Sequence, residues 1–319
     1  MRRPPLPLRR LQGLTLIEMM IALVLGLIVV AGVGSVFLAN RQVYRNSEGL
    51  SRIQENIRTA FELMARDLRE TGGTACDPSG TLSNTAWWNS WGLRAYSGST
   101  AFPTGMPEFG SQAAKRVQGS QAMILSGTTG LPASVSTHSG TTITTQAAHD
   151  LPTDGYLLIC NPLSSAGQLF QASGGTTTTI TYAAGAVPNT TFGRNSELSR
   201  FASQGWFIGC NGRSACDQDT GRSLYRTQFI NSSAQTQEIV EGVSAMTLQF
   251  LREGDAVYSA MADTAGWTST DWAGVSAISV RLTFVEPGSE AASGIAENGG
   301  SARVSRELTN VITLRNRMP

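Results

Sequence analysis

Residues that usually carry chemistry are scarce in this chain. It has only two histidines, His138 and His149, both in polar Ser/Thr-rich surroundings. No G-x-S-x-G elbow, P-loop or H-E-x-x-H is present, which removes the usual signatures of serine hydrolases, nucleotide-phosphate enzymes and zinc proteases. Carboxylates such as Asp263, Asp271 and Glu286 read as surface solvation, because acids come near one another by chance in a chain of this length. No enzymatic activity and no cofactor are expected. Charged residues make up only 15% of the sequence, with a net charge of +1. No stretch gathers the basic side chains that nucleic-acid binding needs, so that class of partner is not expected. None of the four cysteines lies in a C-x-x-C or beside a histidine, which argues against a zinc site.

One long hydrophobic run stands out against this background. Residues Met19 to Ala39 carry no charge, and about 21 residues at roughly 1.5 Å each cover the roughly 30 Å hydrocarbon core of a bilayer. The segment is expected to cross a membrane once. Arg2, Arg3, Arg9 and Arg10 precede it and would hold the leader in the cytoplasm, sending the rest outward. A secretory signal would have an apolar core of roughly 7 to 15 residues, closed by an A-x-A-like site; this run is longer and lacks one. Gly26, Gly32 and Gly34 inside it suit either close helix packing or ordinary membrane-helix composition.

A lone carboxylate, Glu18, sits at the start of the run, where an ionisable side chain is expensive and calls for a partner. Cleavage after Gly13 would provide one: Leu14 would carry a free amino group, four residues from Glu18 on the same helical face or on a neighbouring copy.

The order Gly13-Leu14-Thr15-Leu16-Ile17-Glu18, followed by MMIALVLGLIVVAGVG, resembles the class III signal of type IV pilins and type II secretion pseudopilins. The resemblance implies that a membrane aspartic peptidase cuts after Gly13 and N-methylates Leu14, and that Glu18 helps dock the subunit into a helical filament. The family usually has Phe where this chain has Leu14. Loss of the four leader arginines takes the formal charge from +1 to −3.

Beyond the membrane run, Leu50, Ile53, Ile57, Ala60, Phe61, Met64 and Leu68 recur mainly at three- and four-residue spacing. This predicts an amphipathic helix to about Glu70, with Arg52, Glu55, Arg58, Glu62, Arg66, Asp67, Arg69 and Glu70 on its other faces. Thr71-Gly72-Gly73 ends it. The remainder is rich in Gly, Ser and Thr, the profile of a turn-rich β domain. Strands are expected at 121–126, 142–146, 155–160, 177–182, 205–210, 223–230, 243–252, 275–285 and 303–314. The apolar residues of the 243–252 and 275–285 strands alternate, so one face of their sheet should lie on the helix. The segments 74–119, 127–140 and 287–301 read as long polar connections. The expected fold class is α+β: a long N-terminal transmembrane and amphipathic helix packed on an antiparallel β-sheet head. Its expected parts are a leader at 1–13, a membrane segment at 14–39, an amphipathic segment at 40–71 and a β-rich periplasmic head at 72–319.

Four cysteines in an oxidising compartment are expected to form disulfides, with three possible connectivities. The short polar loop between Cys210 and Cys216 favours a local bridge, which would leave Cys76 for Cys160. The segment Asp217-Gln218-Asp219-Thr220-Gly221 offers Asp217 and Asp219 as weak calcium candidates, but it fails the EF-hand pattern and reads better as a solvated turn. Trp87, Trp88 and Trp91 form the densest aromatic patch, suited either to cover a core or sheet edge or to contact a partner pilin or adhesin.

The leader, the E-L-M-A-R-D-L-R-E run at 62–70, the Gly-Val-Ser-Ala-Met strand start at 242–246 and the tail Leu308 to Arg317 together resemble the PilW family of type IV pilus minor pilins. That family implies a single-pass protein of the bacterial inner membrane that joins other minor pilins to prime assembly of the major pilin and ends at or near the pilus tip. Its implied partners are the prepilin peptidase/methyltransferase, the inner-membrane assembly platform and, at the tip, an adhesin. A type II secretion minor pseudopilin and a non-polymerising single-pass adhesin are the alternatives.

Overall fold

The computed structural model describes residues 15–73, 82–83, 92–163, 166–187, 192–230, 233–286, 294–295, 301–302 and 305–314. Leader residues 1–13 with Gly13, and Leu14, Cys76, Trp87, Trp88, Trp91 and the tail from Arg315, lie outside them. By contact density the chain divides into two units, Met1–Glu48 and Gly49–Pro319.

The first unit is the N-terminal part of helix α1 (Leu16–Glu70). Over Leu16–Arg41 it forms a 26-residue apolar helix none of whose surface is covered by protein. Leu16, Leu27 and Phe37 are each about two-thirds or more exposed, as expected where lipid, not a core, satisfies the side chains. Nothing lies within 4 Å of where a Cβ would stand on Gly26, Gly32 or Gly34.

In the second unit α1 becomes the centre of the core. Ile53, Ala60, Met64 and Leu68 are at most 1% exposed, a spacing of seven and four residues that puts one stripe inward. The helix stops where Gly72 adopts φ 78°, a left-handed conformation that glycine takes without Cβ strain. The Gly72 N–H then donates to Ser126 O at 2.9 Å, tying the helix end to the sheet.

Two main sheets surround this helix. The strands are β1 (Leu82–Ser83), β2 (Leu93–Tyr96), β3 (Ala122–Ser139), β4 (Thr142–Thr145), β5 (Tyr156–Asn161), β6 (Ala166–Gly175), β7 (Thr179–Tyr182), β8 (Glu197–Cys210), β9 (Arg222–Ile230), β10 (Ser233–Glu241), β11 (Val243–Arg252), β12 (Ser259–Ala260), β13 (Val275–Val285), β14 (Gly294–Ile295), β15 (Ser301–Ala302) and β16 (Ser305–Thr313). The smaller sheet runs β12-β11-β13-β16. Met246, Leu248 and Phe250 of β11 and Ile278, Val280, Leu282 and Phe284 of β13 are buried in one cluster with the α1 stripe, and the Phe61 and Phe284 rings stand 6.5 Å apart.

The larger sheet runs β10-β9-β8-β5-β6-β7-β4-β3-β2, and an additional pairing joins β8 to β3. That pairing closes six antiparallel strands, β3-β8-β5-β6-β7-β4, into a small barrel. Val135, Ile143, Leu157, Ile159, Phe170, Ile180 and Leu198 fill its interior.

Several expectations require correction. Residues 127–139, expected as a polar connection, continue β3 for its full 18 residues. Register shifts at Thr129/Ala133 and Val135/Thr137 break the period-two alternation that would have revealed the strand. The apolar pattern predicts neither β6 nor β10: β6 is flanked by Gly and Ser, and β10 is a polar edge strand. β2 lies inside the expected 74–119 connection. The later part of that segment is organised by Arg116, which is fully buried. Its guanidinium donates to the carbonyls of Ser97 (2.6 Å), Thr100 (2.8 Å) and Ser120 (2.8 Å) and lies 4.7 Å from the ring centres of Phe102 and Phe109. Burial pulls its pKa down to about 10.

Candidate functional site

The start of α1 has a defined local structure. The Glu18 N–H donates to Thr15 Oγ1 at 3.3 Å, while Glu18 Oε2 accepts from the Thr15 N–H at 3.0 Å and from the Thr15 hydroxyl at 2.9 Å. This is a reciprocal capping box, which satisfies backbone donors that the first turn of a helix leaves open. Thr15-x-x-Glu18 is legible in the sequence as a capping signature, a role additional to the expected pairing of Glu18 with an amino group. Both Thr15 bonds fall on Oε2. A carboxylate has about four acceptor positions, so Oε1 remains able to accept a further donor.

Residues 8–34 match the prokaryotic N-terminal methylation motif. That match covers the leader end, Glu18 and most of the apolar helix, and it supports a type IV pilin- or pseudopilin-like protein. The motif points to a structural protein and implies processing by a prepilin peptidase and association with pilus components. The apolar helix and the motif are together consistent with membrane anchoring and pilus association. No curated protein and no solved structure matches the chain.

At the other end of α1, Asp67 departs from expectation. The sequence pattern places it on the polar faces of the helix, but it is only 5% exposed and lies on the inward stripe with Ala60 and Met64. Its spacing from those two residues is the signal that would have revealed this. The Asp67 carboxylate accepts from Trp206 Nε1 at 3.0 Å and from Arg226 Nη2 at 3.1 Å, so the last turn of α1 is bonded to both β8 and β9. Burial pushes its pKa up to about 6, against the opposing pull of Arg226 and of the Trp206 hydrogen bond. A cavity of about 210 Å³ opens beside it, lined in part by Glu70, Gly127, Arg200, Gln204 and Gln228.

The remaining candidates serve the fold. Cys210 and Cys216 are bonded to each other, with Cα atoms 5.2 Å apart, and Cys160 is disulfide-bonded as well. Within the closed loop, Arg213 bonds Glu238 and lies 3.0 Å from Glu241 on β10, so the loop braces an edge strand. Asp219 faces Arg222 at 3.6 Å, and Arg222 also donates to the Asp217 carbonyl at 3.3 Å. Among the described residues no group of three metal-ligating side chains occurs. His138 bridges the Phe192 carbonyl (2.6 Å) and the Tyr182 hydroxyl (2.5 Å) at the barrel wall. Asp263 and Asp271 cap short helical turns through Ala260 N and Thr268 N.

Proposed function

We propose that this chain is a minor pilin of the type IV pilus, of the PilW family, which primes assembly of the major pilin and resides at or near the pilus tip. The observation that carries the reading is the methylation motif over residues 8–34, with Glu18 at the first turn of a 26-residue apolar helix. Cleavage after Gly13 creates a cationic amino group at Leu14. Glu18 Oε1 is then the acceptor for that group or for its counterpart on a neighbouring subunit, while Oε2 keeps the first turn capped through Thr15. A membrane helix leaves lipid for a filament core only if such pairing and helix contacts replace what the bilayer supplied. The large head, residues 49–319, suits a low-copy subunit near an end of the fibre better than one repeated along it. The other minor pilins, the major pilin, the peptidase/methyltransferase and the inner-membrane platform are its partners in this reading, with the head in the periplasm before assembly.

Mass spectrometry of the mature protein should give an amino terminus at N-methylated Leu14. Glu18→Ala should leave the head folded and sharply reduce recovery of the subunit in sheared pili. A terminus elsewhere, or normal filament entry by Glu18→Ala, refutes the reading. Equal recovery in a secretion pseudopilus and none in pili would reassign the chain to type II secretion.

A further inference from the structure

The cavity of about 210 Å³ beside Asp67 lies between the end of α1 and strands β3, β8 and β9, and its walls differ in character. The α1 wall is acidic. Asp67 and Glu70 stand on it, at the carbonyl-bearing end of the helix, where the macrodipole is negative. The strand wall carries donors that the fold leaves unused. Arg200 donates from Nη2 to the Asp150 carbonyl at 2.6 Å, and its Nε and Nη1 make no hydrogen bond among the described residues. Gln204 Oε1 accepts from Arg226 Nε at 3.2 Å and from Arg226 Nη2 at 2.8 Å. Those two bonds set the orientation of the amide and leave both hydrogens of its Nε2 uncommitted. The half-buried Gln228 side chain bonds nothing among the described residues. Ser203 also lines the cavity; it is 1% exposed and its hydroxyl has no partner. The two walls meet at Arg226, whose Nη2 donates both to Asp67 Oδ1 at 3.1 Å and to Gln204 Oε1, so a carboxylate and an amide with free N–H groups sit side by side on one guanidinium.

We propose that this cavity binds a free α-amino acid in its zwitterionic form. The ligand carboxylate takes the unused donors of Arg200, Gln204 and Gln228, and its ammonium lies on the Asp67 and Glu70 side. A planar guanidinium with two free nitrogens matches a carboxylate, and hydrogen bonds to a charged acceptor are the stronger kind. A plain anion would meet Arg200 but also the two acids and the negative helix end. A plain cation would meet the acids but leave the guanidinium and both amides unmatched. A molecule that holds the two charges on neighbouring atoms answers both walls. Leu125, Phe201 and Phe229, all buried, complete the lining and suit an apolar side chain. The proposal does not rest on the filament assignment.

The test is isothermal titration calorimetry of the detergent-solubilised full chain with L-leucine and L-alanine, and with two analogues of leucine that each keep one charge, 3-methylbutylamine and 4-methylpentanoate. At least one amino acid should bind with a Kd of about 1 mM or tighter, and both analogues should bind at least about tenfold more weakly than L-leucine. Gln228→Leu removes an amide that the fold does not use, and should weaken amino-acid binding about tenfold at an unchanged melting temperature. Gly127→Val covers the case in which that variant fails to fold. A Cβ at Gly127 would stand 3.5 Å from Glu70 O, an ordinary contact, so the added bulk occupies the cavity wall without strain and should abolish binding. No binding of either amino acid, binding of one analogue as tight as that of L-leucine, or unchanged binding by the folded variants would each overturn the proposal.

Discussion

Asp67 sets up an unusual dependence of stability on pH. The folded carboxyl keeps its proton up to about pH 6, whereas the ordinary value is 3.8. Between those values the folded state binds more protons than the unfolded one, so stability falls as pH rises through the window. Below about 3.8 both states are protonated and the group contributes no penalty; above about 6 the penalty is complete. A displacement of about two units at 1.36 kcal/mol each is on the order of 3 kcal/mol. Arg226, Trp206, Glu70 and Arg66 all act on this carboxyl, and other acids titrate in the same range, so the informative quantity is a difference. Asp67→Asn cannot ionise but can still accept the Trp206 hydrogen bond. Urea unfolding of wild type and Asp67→Asn should be compared at steps from pH 4 to pH 8. The stability of the variant relative to wild type should rise by on the order of 3 kcal/mol across that range, mostly between pH 4 and 6.5. Parallel curves would show that burial does not dominate at this site. A relative stability that falls with pH would show that attraction to Arg226 outweighs desolvation, and either result refutes the reasoning.

Three further outcomes are expected. Met64→Ala removes a fully buried side chain at the centre of the core on α1 and should cost about 2 to 5 kcal/mol in denaturant unfolding. Cys216→Ser opens the short Cys210–Cys216 loop and should cost about 2 kcal/mol by loop-closure entropy, with faster hydrogen exchange in β10 as Arg213 loses its footing. Arg116→Met leaves the Thr100, Ser97 and Ser120 carbonyls without their buried donor and should cost about 3 kcal/mol or more, with exchange rising over residues 97–120 before it rises elsewhere.

Much of the fold is legible in the sequence because its signals are periodic. The inward stripe of α1 and the alternation in β11 and β13 follow from burial on one face, the stop at Gly72 follows from the left-handed backbone that glycine takes without strain, and the structure has all three. What the sequence pattern does not announce is non-local. Closure of β3 onto both β8 and β4 supplies hydrogen-bond partners to a stretch whose side chains are mostly exposed, so the backbone holds a strand that the hydrophobic pattern does not announce. Arg116 organises its loop through carbonyls, which leave no trace in side-chain identity. Asp67 shows position prevailing over residue type: an acid at a core spacing is buried where Trp206 and Arg226 meet it. The capping role of Thr15 was readable locally and lay within the most distinctive motif of the chain.

β3 and β8, at 18 and 14 residues, each run from the barrel into the open part of the larger sheet. The two regions therefore share beams instead of meeting at a joint. A pull on the barrel is carried as shear across many backbone hydrogen bonds loaded at once, and does not unzip them one by one. There is no seam along which the barrel could be excised or replaced as a cassette, because any cut severs two strands on which the rest of the sheet is registered.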